Sequence, residues 1–263
     1  MGKYITVAIQ KGGTSKTTTA IHLAKGLADK GKKVLLVDMD AQVNATYGLS
    51  LDKDLGKRAT YELFISACFD ESDLDAKMVQ KCIHSVKGLD VLPGTKRMEM
   101  VEPSIKDDAG KPVMLEKIKK YLDSYDYIVF DCPPTKGAVV DSCLFISDYL
   151  LIPVVPEPYP VEGMNDILHT FNKVKKEWNT KLELIGILMT QVVANTKIHK
   201  EYAEVLIETF GDVVFETYIR NNVAIKESSA EGIPVYEYAS KSIGAEDYRD
   251  FVNEFIKRST GNV

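Results

Sequence analysis

A single α/β domain, with a mostly parallel, twisted sheet flanked by helices on both faces, is the fold class that this 263-residue chain predicts. Three observations lead there. Apolar, β-rich runs alternate with stretches of helical periodicity along most of the chain. Several runs are apolar at consecutive positions, the pattern of strands covered on both faces. No internal repeat or low-complexity linker divides the chain, so one domain spanning residues 1–263 is the economical organisation.

The elements follow in order. Tyr4–Ile9 reads as the first strand. Lys16–Lys30 reads as a helix, with Ala20, Leu23, Ala24 and Leu27 at helical spacing. Val34–Val37 is a fully apolar strand, and Leu89–Leu92 a short one closed by Pro93-Gly94. The stretch between them and just beyond, residues 52–113, is more charged and less regular. It reads as peripheral helices and loops, with Lys106–Pro112 an exposed loop. Met114–Leu122 is helical, Tyr127–Phe130 and Tyr149–Val155 are strands, and Val161–Trp178 is a helix. Leu184–Met189 is a strand, Ile198–Phe210 a helix, Val213–Phe215 a strand and Ile243–Ile256 the last helix.

Composition narrows the function classes. Hydrophobic residues make up 45% and charged residues 27% of the chain, ordinary values for a soluble protein. No apolar run reaches the roughly 18–20 residues of a membrane span. No signal-peptide pattern precedes the first strand, so a cytoplasmic location is expected. The net charge of −5 argues against a globally basic nucleic-acid binder, so any such contact would need a local patch. The four cysteines, Cys68, Cys82, Cys132 and Cys143, form no C-x-x-C pair, which argues against structural zinc or a disulfide framework.

The chemistry is concentrated after the first strand, at Gln10-Lys11-Gly12-Gly13-Thr14-Ser15-Lys16-Thr17-Thr18. A strand, a glycine-containing loop and Lys-Thr opening a helix make a P-loop arrangement. Backbone N–H groups of the loop and the helix N-terminus face anionic phosphates. Lys16 would reach the β- and γ-phosphates, and the Thr17 hydroxyl would bind Mg2+. The strict G-x-x-x-x-G-K-[ST] pattern fails at Gln10 and at Ser15. Two later segments support the site. Asp38 and Asp40 end the second strand, and Asp131 ends a later one. Carboxyl ends of parallel strands are where such sheets bind ligands. Three carboxylates there suit Mg2+, a hard cation with oxygen ligands, and one could orient an attacking water.

Lys11 to Thr18 resembles the deviant Walker A segment of the ParA/MinD ATPases, K-G-G-x-G-K-[ST]-[ST]. Asp38-Met39-Asp40-Ala41-Gln42-Val43-Asn44-Ala45-Thr46 resembles the D-x-D-x-Q-x-N-A-T segment of ParA proteins. Tyr125–Pro134 is similar to their Walker B. Leu151–Val154, Glu162-Gly163, Arg220–Val223 and Gly232–Val235 fit further family stretches, so the resemblance spans nearly the whole chain. It implies a P-loop NTPase domain that binds ATP and Mg2+ and hydrolyses ATP slowly until a partner stimulates it. It implies ATP contacts from Lys11, Gly12, Gly13, Thr14, Ser15, Lys16, Thr17 and Thr18. Adenine contacts are implied from the loop after Met189 and near Pro234.

Residue roles carry over from the same resemblance. Lys11 matches the signature lysine that crosses an ATP-bound homodimer to the partner's nucleotide. Asp40 matches the aspartate that positions the hydrolytic water, and Thr17, Asp38 and Asp131 match the Mg2+ surroundings. Lys11, Lys16 and Asp40 are therefore the expected catalytic group. The departure is Ser15, where the family commonly has glycine. A positive φ there would make serine unfavourable, whereas a negative φ would leave its hydroxyl for a phosphate.

Among members of that class, the chain resembles the short partition ATPases, which lack an N-terminal helix-turn-helix domain. The implied partners are non-specific DNA and a ParB-type, centromere-binding adaptor, with a nucleoid-associated location. Lys197, Lys200, Arg220 and Lys226 are the candidate DNA contacts, although acidic residues are interspersed and a mixed-charge surface is the alternative. Arg220 is offset by one position from the family's P-R-N-V-R arginine, and Ala224 replaces the second. A MinD-like membrane role would need a basic amphipathic C-terminal helix. Here the stripe Tyr248, Phe251, Val252, Phe255 and Ile256 opposes an acidic face of Glu246, Asp247, Asp250 and Glu254, which predicts core packing and no membrane contact. A small-molecule kinase or synthetase on the same scaffold is the other alternative.

Overall fold

A computed structural model describes residues 2–51, 59–69, 74–100, 114–157, 161–193 and 196–261. The expected loop Lys106–Pro112 lies outside the described residues. In chain order the elements are β1 (Lys3–Val7), α1 (Lys16–Asp29), β2 (Val34–Asp38), α2 (Asn44–Tyr47), α3 (Thr60–Phe69), α4 (Ala76–Cys82), β3 (His84–Val86) and β4 (Leu89–Leu92). There follow α5 (Met114–Lys119), β5 (Tyr127–Asp131), α6 (Ala138–Ile146), β6 (Tyr149–Val154), α7 (Val161–Glu177), β7 (Glu183–Met189), α8 (Lys197–Phe210), α9 (Val223–Ala230), α10 (Val235–Tyr238) and α11 (Ile243–Thr260).

Seven strands form one sheet in the order β3-β4-β2-β5-β1-β6-β7. Every pairing is parallel except that of β3 with β4. The β3–β4 hairpin turns at Lys87 and Gly88, both with positive φ, which suits the two-residue turns that match strand twist. The sequence reading left β3 out. Its only local sign is the Lys-Gly pair beside a three-residue run.

Consecutive strand residues enter opposite cores, as the unbroken apolar runs require. Tyr4, Leu35, Ile128 and Leu150 pack on one side with residues of α3 to α8. Ile5, Leu36, Val129 and Leu151 pack on the other with α1, α10 and α11. The apolar stripe of α11 belongs to this second core: Tyr248, Phe251, Val252 and Phe255 are all buried. Ser242 caps the helix, its Oγ accepting from the Ala245 N–H at 3.2 Å, and Gly261 ends it with φ 71°. Among the described residues no helix is long and apolar enough to cross a membrane.

Val213–Phe215 is not a strand. A 3-10 turn covers Gly211–Val213, and Val214 makes a single parallel bridge to Ile187. Phe215 then dives into the core beside Gly186, where a Cβ would stand 2.3 Å from its ring. The ring's burial there, not ladder pairing, decides the path of this segment.

Candidate active site

The parallel strands β1, β2 and β5 end level with one another. Val7 pairs with Asp131, and Asp131 with Asp38. The chain leaves β1 at this edge and forms the loop 8–15 before α1 begins at Lys16. A cleft of about 500 Å3 opens over the loop, lined by residues 12–18 together with Asp40, Gln42, Pro134, Gln191, Ile219 to Asn222 and Lys226. The expected phosphate loop thus lies on one wall, with the segment before and within α9 on the other.

The loop's geometry is that of an anion cradle. Gly13 has φ 76°, and Cβ atoms added at Gly12 or Gly13 would meet nothing, so these backbones face open space. Lys16 is buried and donates from Nζ to the Lys11 carbonyl at 2.7 Å. Burial lowers its pKa, and the carboxylates of Asp131 and Asp40 work against that shift. Ser15 adopts the left-handed conformation, φ 62° and ψ 28°. The position therefore is one that favours glycine, and serine occupies it against its own preference. The Ser15 hydroxyl is not left free: Gln191 Nε2 donates to its Oγ at 3.0 Å.

The three aspartates differ in what holds them. Asp38 is fully buried, and its oxygens accept from the Thr46 N–H at 2.9 Å, the Thr46 hydroxyl at 2.7 Å and the Asp40 N–H at 3.2 Å. Gly94 lies against it, where a Cβ would come within 2.8 Å of the carboxylate carbon. Burial raises the Asp38 pKa to about 6, and the bonds from Thr46 and Asp40 restrain the rise. Asp131 is also fully buried, and neither of its oxygens has a hydrogen-bond partner. Thr17 lies close enough to favour its ionised form, without well-formed bonding geometry. Burial, and then the neighbouring Asp38, push the Asp131 pKa well above the carboxylate range. Asp40 lines the cleft, its Oδ1 accepting from the Gln42 N–H at 2.9 Å.

An unbonded buried carboxylate beside a threonine hydroxyl fits a hard cation. Among the described residues no group of three or more His, Cys, Asp or Glu could hold a metal. Mg2+ is compatible with that sparseness, because it keeps several waters and takes phosphate oxygens. Of the three expected metal-binding side chains, Asp131 and Thr17 are open to the ion, while Asp38 is committed to Thr46 and Asp40.

Other expected residues are dispersed. Lys11 lies 3.7 Å from Glu157, half-exposed at the cleft mouth. Pro234 is buried and is not among the lining residues; it precedes α10. Arg220 and Lys226 line the cleft, whereas Lys200 lines a second groove beside Phe215 and Arg258. Arg220 is held by Asp247: Nε donates to both carboxylate oxygens at 3.0 Å, and the Arg220 N–H donates to Oδ2 at 2.9 Å. Lys197 is 90% exposed and pairs with Glu201 at 3.5 Å.

Three residues of the site were not singled out from the sequence. Thr190 and Gln191 directly follow Met189, where the resemblance implied adenine contacts; both bond the phosphate loop instead. His22 stands on α1, with Nδ1 2.7 Å from the Thr18 carbonyl and Nε2 accepting from the Val235 N–H at 3.0 Å. It stacks on Tyr248 at 4.4 Å and ties α1 to α10.

The AAA domain family matches residues 2–184. The sporulation initiation inhibitor protein Soj of Bacillus subtilis is 36% identical over 97% of this chain and 98% of its own length. The chromosome partitioning protein ParA of Myxococcus xanthus is 34% identical over 99% of this chain and 90% of its own. Among solved structures, the cell division ATPase MinD of Pyrococcus furiosus is 28% identical with a TM-score of 0.73, covering 98% of this chain and 99% of that one. Cobyrinic acid a,c-diamide synthase of Mycobacterium smegmatis, solved with ADP and magnesium, shares the fold with a TM-score of 0.83 at 24% identity, covering 100% of this chain and 97% of that one.

Proposed function

The chain belongs to the ParA/Soj-type family of AAA-domain proteins, and from that premise we propose that it is an ATP-hydrolysing DNA partition motor. In this reading ATP drives dimerisation, the dimer binds DNA without sequence preference, and a ParB-type adaptor stimulates slow hydrolysis. The protein works in the cytoplasm on the nucleoid. The observation that carries the reading is Asp131: a buried carboxylate without bonds, at the strand end beside Thr17 and Lys16. A bound Mg2+ would neutralise it and offset the γ-phosphate charge there.

The chain's own residues take defined parts. N–H groups of the loop and of the α1 N-terminus bind phosphate oxygens, and Lys16 leaves the Lys11 carbonyl for them. Thr17 and Asp131 hold the ion, and Asp38 fixes the turn that presents Asp40. Asp40 orients the water that attacks the γ-phosphorus. Lys11 leaves Glu157 for the nucleotide of a second subunit, so ATP strengthens the dimer. Lys197, Lys200 and Lys226 supply the DNA-facing charge; Arg220 contributes less, being neutralised by Asp247. The buried stripe of α11 speaks against a MinD-like membrane role.

The test measures oligomeric state and binding to mixed-sequence DNA with ATP and with ADP, at several salt concentrations. An ATP-specific dimer that binds DNA more weakly as salt rises is expected. Asp40→Ala should lock it in the bound state and Lys11→Ala should leave it monomeric. A protein that binds MgATP yet stays off DNA at every salt would end the partition reading.

A further inference from the structure

Ser15 and Gln191 stand 176 residues apart and are bonded across the phosphate loop. Both hold left-handed backbones, φ 62° and φ 53°. Side-chain-bearing residues avoid that region unless their surroundings hold them there. Gln191 Nε2 donates to the Gly13 carbonyl at 2.7 Å and to Ser15 Oγ at 3.0 Å. The preceding Thr190 donates from Oγ1 to the Thr14 carbonyl at 3.3 Å.

These contacts orient the cradle. In a planar trans peptide the carbonyl and the following N–H point in opposite directions. Tying the Gly13 and Thr14 carbonyls to the end of β7 therefore turns the N–H groups of Thr14 and Ser15 the other way, as an anion nest requires. The same hinge reaches the opposite wall. The Val192 N–H donates to the Ile219 carbonyl at 2.9 Å, and the Val192 carbonyl accepts from the Asn221 N–H at 3.0 Å. Ile219 and Asn221 both line the cleft.

We propose that Gln191 is a positioning residue for the phosphate cradle and acts as a unit with Ser15. Its carboxamide holds the serine in a conformation that glycine would adopt unaided. The proposal rests on the nucleotide-binding reading of the cleft. Gln191 touches no reacting atom; it acts through the loop.

Gln191→Met tests this, because it keeps the length of the side chain and removes its donor. Wild type, Gln191→Met, Ser15→Gly and the double variant are each titrated calorimetrically with MgADP. Gln191→Met should weaken MgADP about tenfold, as expected for two neutral hydrogen bonds. In the Ser15→Gly background the loss should fall to about twofold, because glycine no longer needs the brace. An equal loss in both backgrounds, or none in either, overturns the pairing.

Amide hydrogen exchange on the nucleotide-free protein supplies a readout that needs no ligand. The amides of Thr14, Ser15 and Lys16 should exchange faster in Gln191→Met while the unfolding midpoint stays unchanged. Unchanged exchange at these amides sinks the proposal. Wild-type protein that does not bind MgADP sinks the nucleotide reading instead, and the exchange result then decides whether Gln191 braces the loop.

Discussion

Asp38 and Asp131 stand opposite one another in register at the ends of adjacent parallel strands, both fully buried, yet one is bonded and the other is not. Asp38 spends its oxygens on Thr46 and on the Asp40 N–H, which shapes the turn carrying Asp40. Asp131 keeps both oxygens unbonded beside Thr17 and Lys16. Two carboxylates in one dry site raise each other's pKa, so the ligand-free site stores unfavourable charge that a cation would relieve.

Replacing Asp131 should therefore separate stability from function. A group whose folded pKa is raised binds more protons folded than unfolded, so its effect destabilises the fold as pH rises past its unfolded pKa. Asp131→Asn removes that term. The ligand-free protein should gain about 1–4 kcal/mol at pH 7, the range for neutralising a buried ionic site. The added protection by MgADP should shrink or vanish. Thermal melts with and without MgADP check both, and a variant that is less stable without ligand would contradict the charge-storage account.

His22 predicts a pH effect of opposite sign. Burial lowers its pKa from 6.5 to about 4, the bond to the Thr18 carbonyl only partly opposing it. Its Nε2 accepts from Val235 and would lose that bond on protonation. The folded form then binds fewer protons than the unfolded one between those values, so stability falls as pH drops from 6.5 towards 4, by about 3 kcal/mol in full. Asp38 works against this in part, because its folded pKa lies near 6 and favours the folded state on acidification. Urea titrations at pH 7 and pH 5 should show a smaller acid loss for His22→Gln than for wild type. Equal losses would remove His22 from the account.

Arg220 and the lysines of α8 should part company in DNA binding. Arg220 is bonded by a buried carboxylate, and removing it leaves Asp247 unpaired. Arg220→Ala should cost about 1–3 kcal/mol in urea unfolding. Lys197→Glu combined with Lys200→Glu should leave stability within about 0.5 kcal/mol of wild type. It should weaken DNA binding and flatten its salt dependence. Competition binding at two salt concentrations decides whether α8 carries the contact; unchanged binding by the lysine pair would remove it.

Much of the site lies in contiguous segments and was legible for that reason. The loop from Lys11 to Thr18, the pair Asp38 and Asp40, and Asp131 all sit where a strand ends, and a run of apolar residues marks each strand. Strand register then brings Asp38 beside Asp131, because parallel strands of one sheet must end on one edge. The burial of α11 was legible too, since its apolar stripe and acidic face leave one side fit for a core.

The sequence by itself determined the layered fold, the phosphate loop and the carboxylate edge, because each depends on neighbours in the chain: apolar periodicity, glycine freedom, residue order at a strand end. Only the tertiary structure decided which aspartate stays unbonded, where Arg220 points, that Val213–Phe215 yields its ladder to the burial of Phe215, and that Ser15 sits left-handed. Each of those outcomes is set by a partner far along the chain: Thr46 and Gly94 for Asp38, Asp247 for Arg220, Gly186 for Phe215 and Gln191 for Ser15. A serine has no local reason to take positive φ; a carboxamide donor 176 residues away supplies one.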